Sequence, residues 1–123
     1  MPLTWTIDPD FERVTIVAQG DVTRAEIEAY LEAVEKAGAV TWPKLIDGRT
    51  GSLAMAQEDL MAVGVRLRGY HDSEVGALAI VLARDSVEQV ARILGIMATA
   101  KRPMRLFTSL RAAERWLEEA VTQ

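Results

Sequence analysis

Between Pro43 and Ser52 the chain reads PKLIDGRTGS, a short apolar run, Lys44-Leu45-Ile46, that stops abruptly at Asp47, Gly48 and Arg49. Only a few folds suit such a run among alternating strand and helix patterns. In an open α/β sheet the parallel strands end together, the following helices begin there, and polar residues at those ends face a common rim. Asp47 and Arg49 are expected at that rim, on an interior strand.

The flanking patterns supply the rest of such a sheet. Leu3, Trp5 and Ile7 alternate with Thr4, Thr6 and Asp8, and Val14, Ile16 and Ala18 alternate with Thr15, Val17 and Gln19. Each is the period-two pattern of a half-buried strand, and the turn at Asp8-Pro9-Asp10 is too short for anything but an antiparallel hairpin. Thr23 and Glu26 form a capping box for a helix running to about Ala37, with Ile27, Tyr30, Leu31 and Val34 as its apolar stripe and Gly38 beyond its last turn. After Asp47-Gly48-Arg49 a loop is expected to about Ala54. A second helix then runs from Gln57 to about Tyr70, with Leu60, Met61, Val63, Gly64 and Leu67 toward the sheet and no side chain suited to cap its start.

Val75 to Leu82 is almost continuously apolar and reads as a central strand covered on both faces. Asp85 with Glu88, or Ser86 with Gln89, offers a capping box for a third helix reaching about Ala100. A short strand from Pro103 to Phe107 precedes a last helix capped by Ser109, with Leu110, Ala113, Trp116, Leu117 and Ala120 on one side. The expected fold is thus α/β: a mixed, mostly parallel five-stranded sheet flanked by four helices in the order ββαβαβαβα, one domain over residues 1–123.

Composition sets limits on function. Half of the 123 residues are hydrophobic and 26% are charged, as in a globular protein with a proper core. A net charge of −4 argues against a broad nucleic-acid face. There is no cysteine, and His71 is the sole histidine, which removes thiolate chemistry and any multi-histidine metal site within one subunit. No signal-like start and no membrane-length apolar run is present, so a cytoplasmic protein without integral membrane association is expected. Gly48-Arg49-Thr50-Gly51 lacks the spacing and lysine of a nucleotide-binding loop, and His71 falls in a connection at the opposite sheet edge from Asp47 and Ser52. No catalytic residue, metal or cofactor is assigned.

Over its whole length the chain resembles the STAS domains, the anti-sigma-factor antagonist family, and more closely the SpoIIAA-like set of small bacterial proteins. The likeness is carried by Leu45-Ile46-Asp47-Gly48-Arg49, Glu58-Asp59-Leu60, Ala79-Ile80-Val81, Arg105-Leu106-Phe107-Thr108-Ser109, Ala112-Ala113 and Trp116-Leu117. It implies the same sheet architecture and a regulatory role through protein contact. In phosphorylated members a serine at the start of the helix after the third strand, in an Asp-Ser-Ser/Thr-Gly setting, switches binding. Here the corresponding stretch is Gly48-Arg49-Thr50-Gly51-Ser52, so Thr50 and Ser52 are the hydroxyls that the resemblance offers for phosphorylation.

Two readings of the rim stay open. Asp47, Arg49, Thr50 and Ser52 form a contact for a partner or a small ligand, or Asp47 accepts loop backbone donors while Arg49 is a surface residue or pairs with a neighbouring acid. Ile93 and Ile96, with Met97 at the border, widen the apolar stripe of the third helix onto a second face, which either forms a homodimer or partner surface or is covered by the fourth helix and the sheet edge. Arg66, Arg68, Lys101, Arg102 and Arg105 would make a modest basic group if they converged. A regulatory or interaction module is the expected function, binding a protein or a small apolar or anionic ligand in a cavity near Met61, Gly64, Gly95 and Met97. The rival is a small enzyme with Asp47 as base and Arg49 as anion holder.

Overall fold

The computed structural model describes residues 2–52, 55–68, 76–88, 90–91 and 104–122. The two alternating segments form the hairpin, β1 (Leu3–Asp8) and β2 (Arg13–Asp21), in register Leu3 with Ala18 through Asp8 with Arg13. Asp8 holds its turn, its Oδ1 accepting the backbone N–H groups of Asp10 at 3.0 Å and Phe11 at 3.4 Å. The capping box opens α1 (Arg24–Lys36): Glu26 N–H donates to Thr23 Oγ1, and Thr23 N–H donates to Glu26 Oε1. Gly38, at φ 69°, supplies the left-handed residue after the helix. Glu26 Oε2 also accepts the N–H of Leu3 at 2.9 Å, tying the start of α1 to the first strand.

The remaining elements are β3 (Lys44–Ser52), α2 (Gln57–Arg68), β4 (Leu78–Val81), β5 (Met104–Phe107) and α3 (Leu110–Thr122). The sheet runs β1-β2-β3-β4-β5, antiparallel at the first pair and parallel thereafter. β3 is interior, as expected, and all four residues of β4 are buried.

Four expectations change. β3 does not end at Asp47 but continues to Ser52: after a register shift between Val17 and Gln19 the strands pair again, Thr50 with Gln19 and Ser52 with Asp21. The irregularity lets an extra residue into β3 without ending its ladder. Among the described residues three helices are complete, and of the fourth expected one only Val87, Glu88, Val90 and Ala91 are described, in helical conformation. Most of the helix expected from Asp85 to Ala100 lies outside the described residues, and its opening is a 3₁₀ turn, Arg84–Ser86. The Asp85 capping box is absent there because the cap position falls on Ala83, leaving Asp85 inside the turn. Finally, α2 lies along α1, with Val63 and Gly64 buried, whereas Met61 is 65% exposed rather than turned to the sheet.

One consequence of the topology matters most. With strands in sequential order, right-handed crossovers all fall on one face of the sheet. That face holds the core of Leu3, Val14, Ile16, Tyr30, Leu31 and Val34, continued by Leu78, Ile80 and Leu82 against Val87 and Val90. Only the terminal helix can cover the other face. There α3 packs Ala113 and Leu117 onto Leu45, Ala79 and Val81, with Trp116 5.8 Å from Phe107. A helix about 10 Å across spans roughly two strands at about 4.8 Å spacing. α3 meets β3, β4 and β5, and the β1–β2 half of that face carries no helix among the described residues.

Candidate functional site

Asp47 points to the same face as Leu45, two residues earlier on β3, and is half-buried beside Val17. Its carboxylate is taken by Arg49, two residues on. Arg49 donates Nη2 to Oδ2 at 2.7 Å, Nε to Oδ1 at 2.9 Å and its backbone N–H to Oδ1 at 3.3 Å. The side-chain hydrogen bonds from the guanidinium hold the Asp47 carboxyl below the usual carboxylate range, against the opposing effect of partial burial. The forked geometry is that of a strong carboxylate–guanidinium pair, which fixes both side chains in a plane. Arg49 thus pairs with a neighbouring acid, Asp47 itself, and Asp47 accepts one backbone N–H.

Thr50 and Ser52 do not open a helix. Both are exposed on the extension of β3; Thr50 Oγ1 donates to the Ala18 carbonyl at 3.4 Å, and Ser52 lies opposite the exposed Asp21. Thr23 and Ser109 reach the same rim as caps, Ser109 Oγ accepting the N–H of Ala112 at 3.3 Å. Ile93, Ile96, Met97, Gly95 and His71 lie outside the described residues. The basic group does not assemble from its described members: Arg66 pairs with Glu35 at 3.6 Å, and Arg105 lies 5.3 Å from the Phe107 ring centre. Among the described residues there is no cluster of three His, Cys, Asp or Glu able to hold a metal, and no helix long and apolar enough to cross a membrane.

Two features escaped the sequence. Lys44 is 5% exposed, and its ammonium donates to the carbonyls of Val40 at 2.7 Å and Trp42 at 2.8 Å, fastening the loop that enters β3. The other is a groove of 610 Å³ on the uncovered half of the sheet, between the hairpin and the flank of α3. Leu45, Leu117 and Pro43 floor it, Phe11 stands at its edge, and Asp8, Arg13, Glu114 and Glu118 supply its charges. Met61 and Gly64, near which a cavity is expected from the sequence, do not line this groove. Nothing in a linear pattern says which face a terminal helix will take, so this groove had no local signal.

No curated protein matches the chain. Among solved structures, an uncharacterized protein with a SpoIIAA-like fold from Shewanella loihica PV-4 is similar at a TM-score of 0.63 and 19% identity, over 94% of this chain and 93% of that one. An anti-sigma factor antagonist from Mycobacterium paratuberculosis is similar at a TM-score of 0.56 and 14% identity, over 94% of each chain. At such identities the likeness concerns the fold. The model of the SpoIIAA-like family matches residues 13–118, from the first residue of β2 into the last turns of α3, and the chain therefore belongs to the SpoIIAA-like family.

Proposed function

We propose that the chain is a non-catalytic regulatory module of the cytoplasm that acts by contact with a protein partner, using the rim of Asp47, Arg49, Thr50 and Ser52. The observation that carries this reading is the forked Asp47–Arg49 pair. A general base needs a carboxylate with proton affinity near the working pH, and an anion holder needs guanidinium donors directed at substrate. Each of these two groups instead satisfies the other, and the pair presents a polar, preorganised patch beside two exposed hydroxyls. One similar structure, at low identity, is an anti-sigma factor antagonist, which supports the same class of role.

A phosphate at Ser52 would sit across from Asp21, where like charge opposes it, so modification there acts by breaking a contact rather than by making one. The apolar residues Ile93, Ile96 and Met97 are proposed as a homodimer or second partner contact. A small apolar or anionic ligand is the subordinate reading. The test is quantitative co-purification with tagged wild type and Arg49→Glu. A partner enriched by wild type and released by the folded variant is expected. Retention of every partner by Arg49→Glu, or turnover of a substrate that is lost in Asp47→Asn, would overturn the proposal. Light scattering of wild type and Ile93→Glu/Ile96→Glu decides the dimer, which requires a wild-type mass twice that of the variant.

A further inference from the structure

We infer that the groove between the hairpin and α3 is a second contact surface, and that its occupant is a short segment of a partner protein combining apolar side chains with Lys or Arg. The inference extends the interaction-module reading to the opposite end of the sheet from the rim, on the face that Asp47 and Leu45 share. Its first ground is topological: among the described residues the single helix on this face leaves the β1–β2 half open, and the groove follows the edge of that helix. A space of 610 Å³ lies within the range of about 300–1,000 Å³ that holds a compact ligand or a few side chains.

The second ground is chemical. Leu45 and Leu117 offer an apolar floor, and Phe11 is 81% exposed at the tip of the hairpin, where the Asp8 carboxylate holds its N–H. A large aromatic side chain kept in water by an ordered turn gains contact area when a partner arrives. Around this floor stand three carboxylates, Asp8, Glu114 and Glu118, against one guanidinium, Arg13. None of the four takes part in an ion pair among the described residues. Arg13 lines the groove with its Nε shielded from solvent and without a hydrogen-bond partner. The net field at the groove is negative and uncompensated, which favours a cationic amphipathic segment and disfavours an anionic one.

The probe is a fluorescein-labelled peptide of alternating Leu and Lys, compared with its Leu/Glu counterpart by anisotropy on the full chain at physiological salt. The Leu/Lys peptide binds and the Leu/Glu peptide does not. Glu114→Gln/Glu118→Gln, on the helix flank, weakens binding about three- to tenfold, as expected for two rim charges. Phe11→Ser weakens it as well, and Arg13→Met strengthens it by removing the one like charge. Glu32→Gln/Glu58→Gln makes the same change of net charge on exposed helix positions away from the groove and leaves binding unchanged. Equal binding of both peptides, no binding of either, or equal weakening by the two double variants overturns the inference. Arg49→Glu leaves the peptide affinity unaltered, so the failure of the groove and the failure of the rim are separately visible.

Discussion

Replacing Leu117 by alanine tests the claim that α3 is the cover of the β3–β5 part of its face of the sheet. Leu117 is 1% exposed and packs among Leu45, Ala79, Val81 and Ala113. Two of those neighbours are alanines, with no side-chain length to swing into a void, so the site collapses poorly. Large-to-small changes at buried leucines cost about 2–5 kcal/mol, more where relaxation is limited. Leu117 also borders the groove, however, and water can enter part of the space, which moves the expectation to about 3 kcal/mol. Against a total stability of about 5–15 kcal/mol that is a large share. The assay is urea denaturation followed by far-UV circular dichroism and tryptophan fluorescence, with Glu118→Ala as the exposed control from the same helix. The expected result is a lowered midpoint at unchanged slope for Leu117→Ala, and a shift within about 0.5 kcal/mol for Glu118→Ala. A loss below about 1 kcal/mol for Leu117→Ala would refute the reasoning, because α3 would then not be the cover of that face.

Three further expectations follow from other parts of the chain. A side chain at Gly76 would overlap the backbone carbonyl of Trp42, so Gly76→Ala forces the loop entering β3 to move and costs about 1–3 kcal/mol, measurable in the same denaturation assay. Thr23→Ala removes the cap of α1 and costs about 1 kcal/mol, while Thr23→Ser keeps it. The carboxyls of Glu26 and Asp47 both lie below their ordinary range: for Glu26 partial burial acts upward but is outweighed by donors from Leu3 and Thr23, and for Asp47 the Arg49 side chain dominates. A depressed native value means that the unfolded chain binds more protons, so these groups contribute stability above about pH 4–5 that is lost as pH falls through their native values. Wild type should therefore lose stability more steeply on acidification than Glu26→Gln/Arg49→Met, and parallel curves would contradict the assignment.

What could be read in the residues was whatever depended on neighbours in the chain. The hairpin alternation, the Thr23–Glu26 box, Gly38 after the helix and the uninterrupted apolar run of β4 all rest on interactions within a few positions. The pairing of Arg49 with a nearby acid was legible for the same reason, as one of two open readings. The extension of β3 to Ser52 was not, because it depends on an extra residue in β3 being accommodated against Ala18 of β2, thirty-odd positions away, where Gly51 permits close approach. Lys44 looked like the edge of an apolar run, and its burial became sensible only once the carbonyls of Val40 and Trp42 stood around its ammonium. Met61 sat at a position suited to a sheet-facing stripe, but α2 leans on α1 and turns that side outward. The groove was the furthest from reach: Asp8, Arg13, Leu45 and Glu118 meet only because the last helix crosses to the face the crossovers leave empty.

The central claim is that Asp47 is held as an ion pair for contact and is not poised to take a proton. Its side-chain carboxyl can be followed directly by carbon-detected NMR through an acid titration of the folded protein, in wild type and in Arg49→Met. The account predicts a wild-type value below that of an ordinary aspartate, rising in the variant as the guanidinium is removed. A wild-type carboxyl titrating at or above the ordinary range, unmoved by the loss of Arg49, would contradict it.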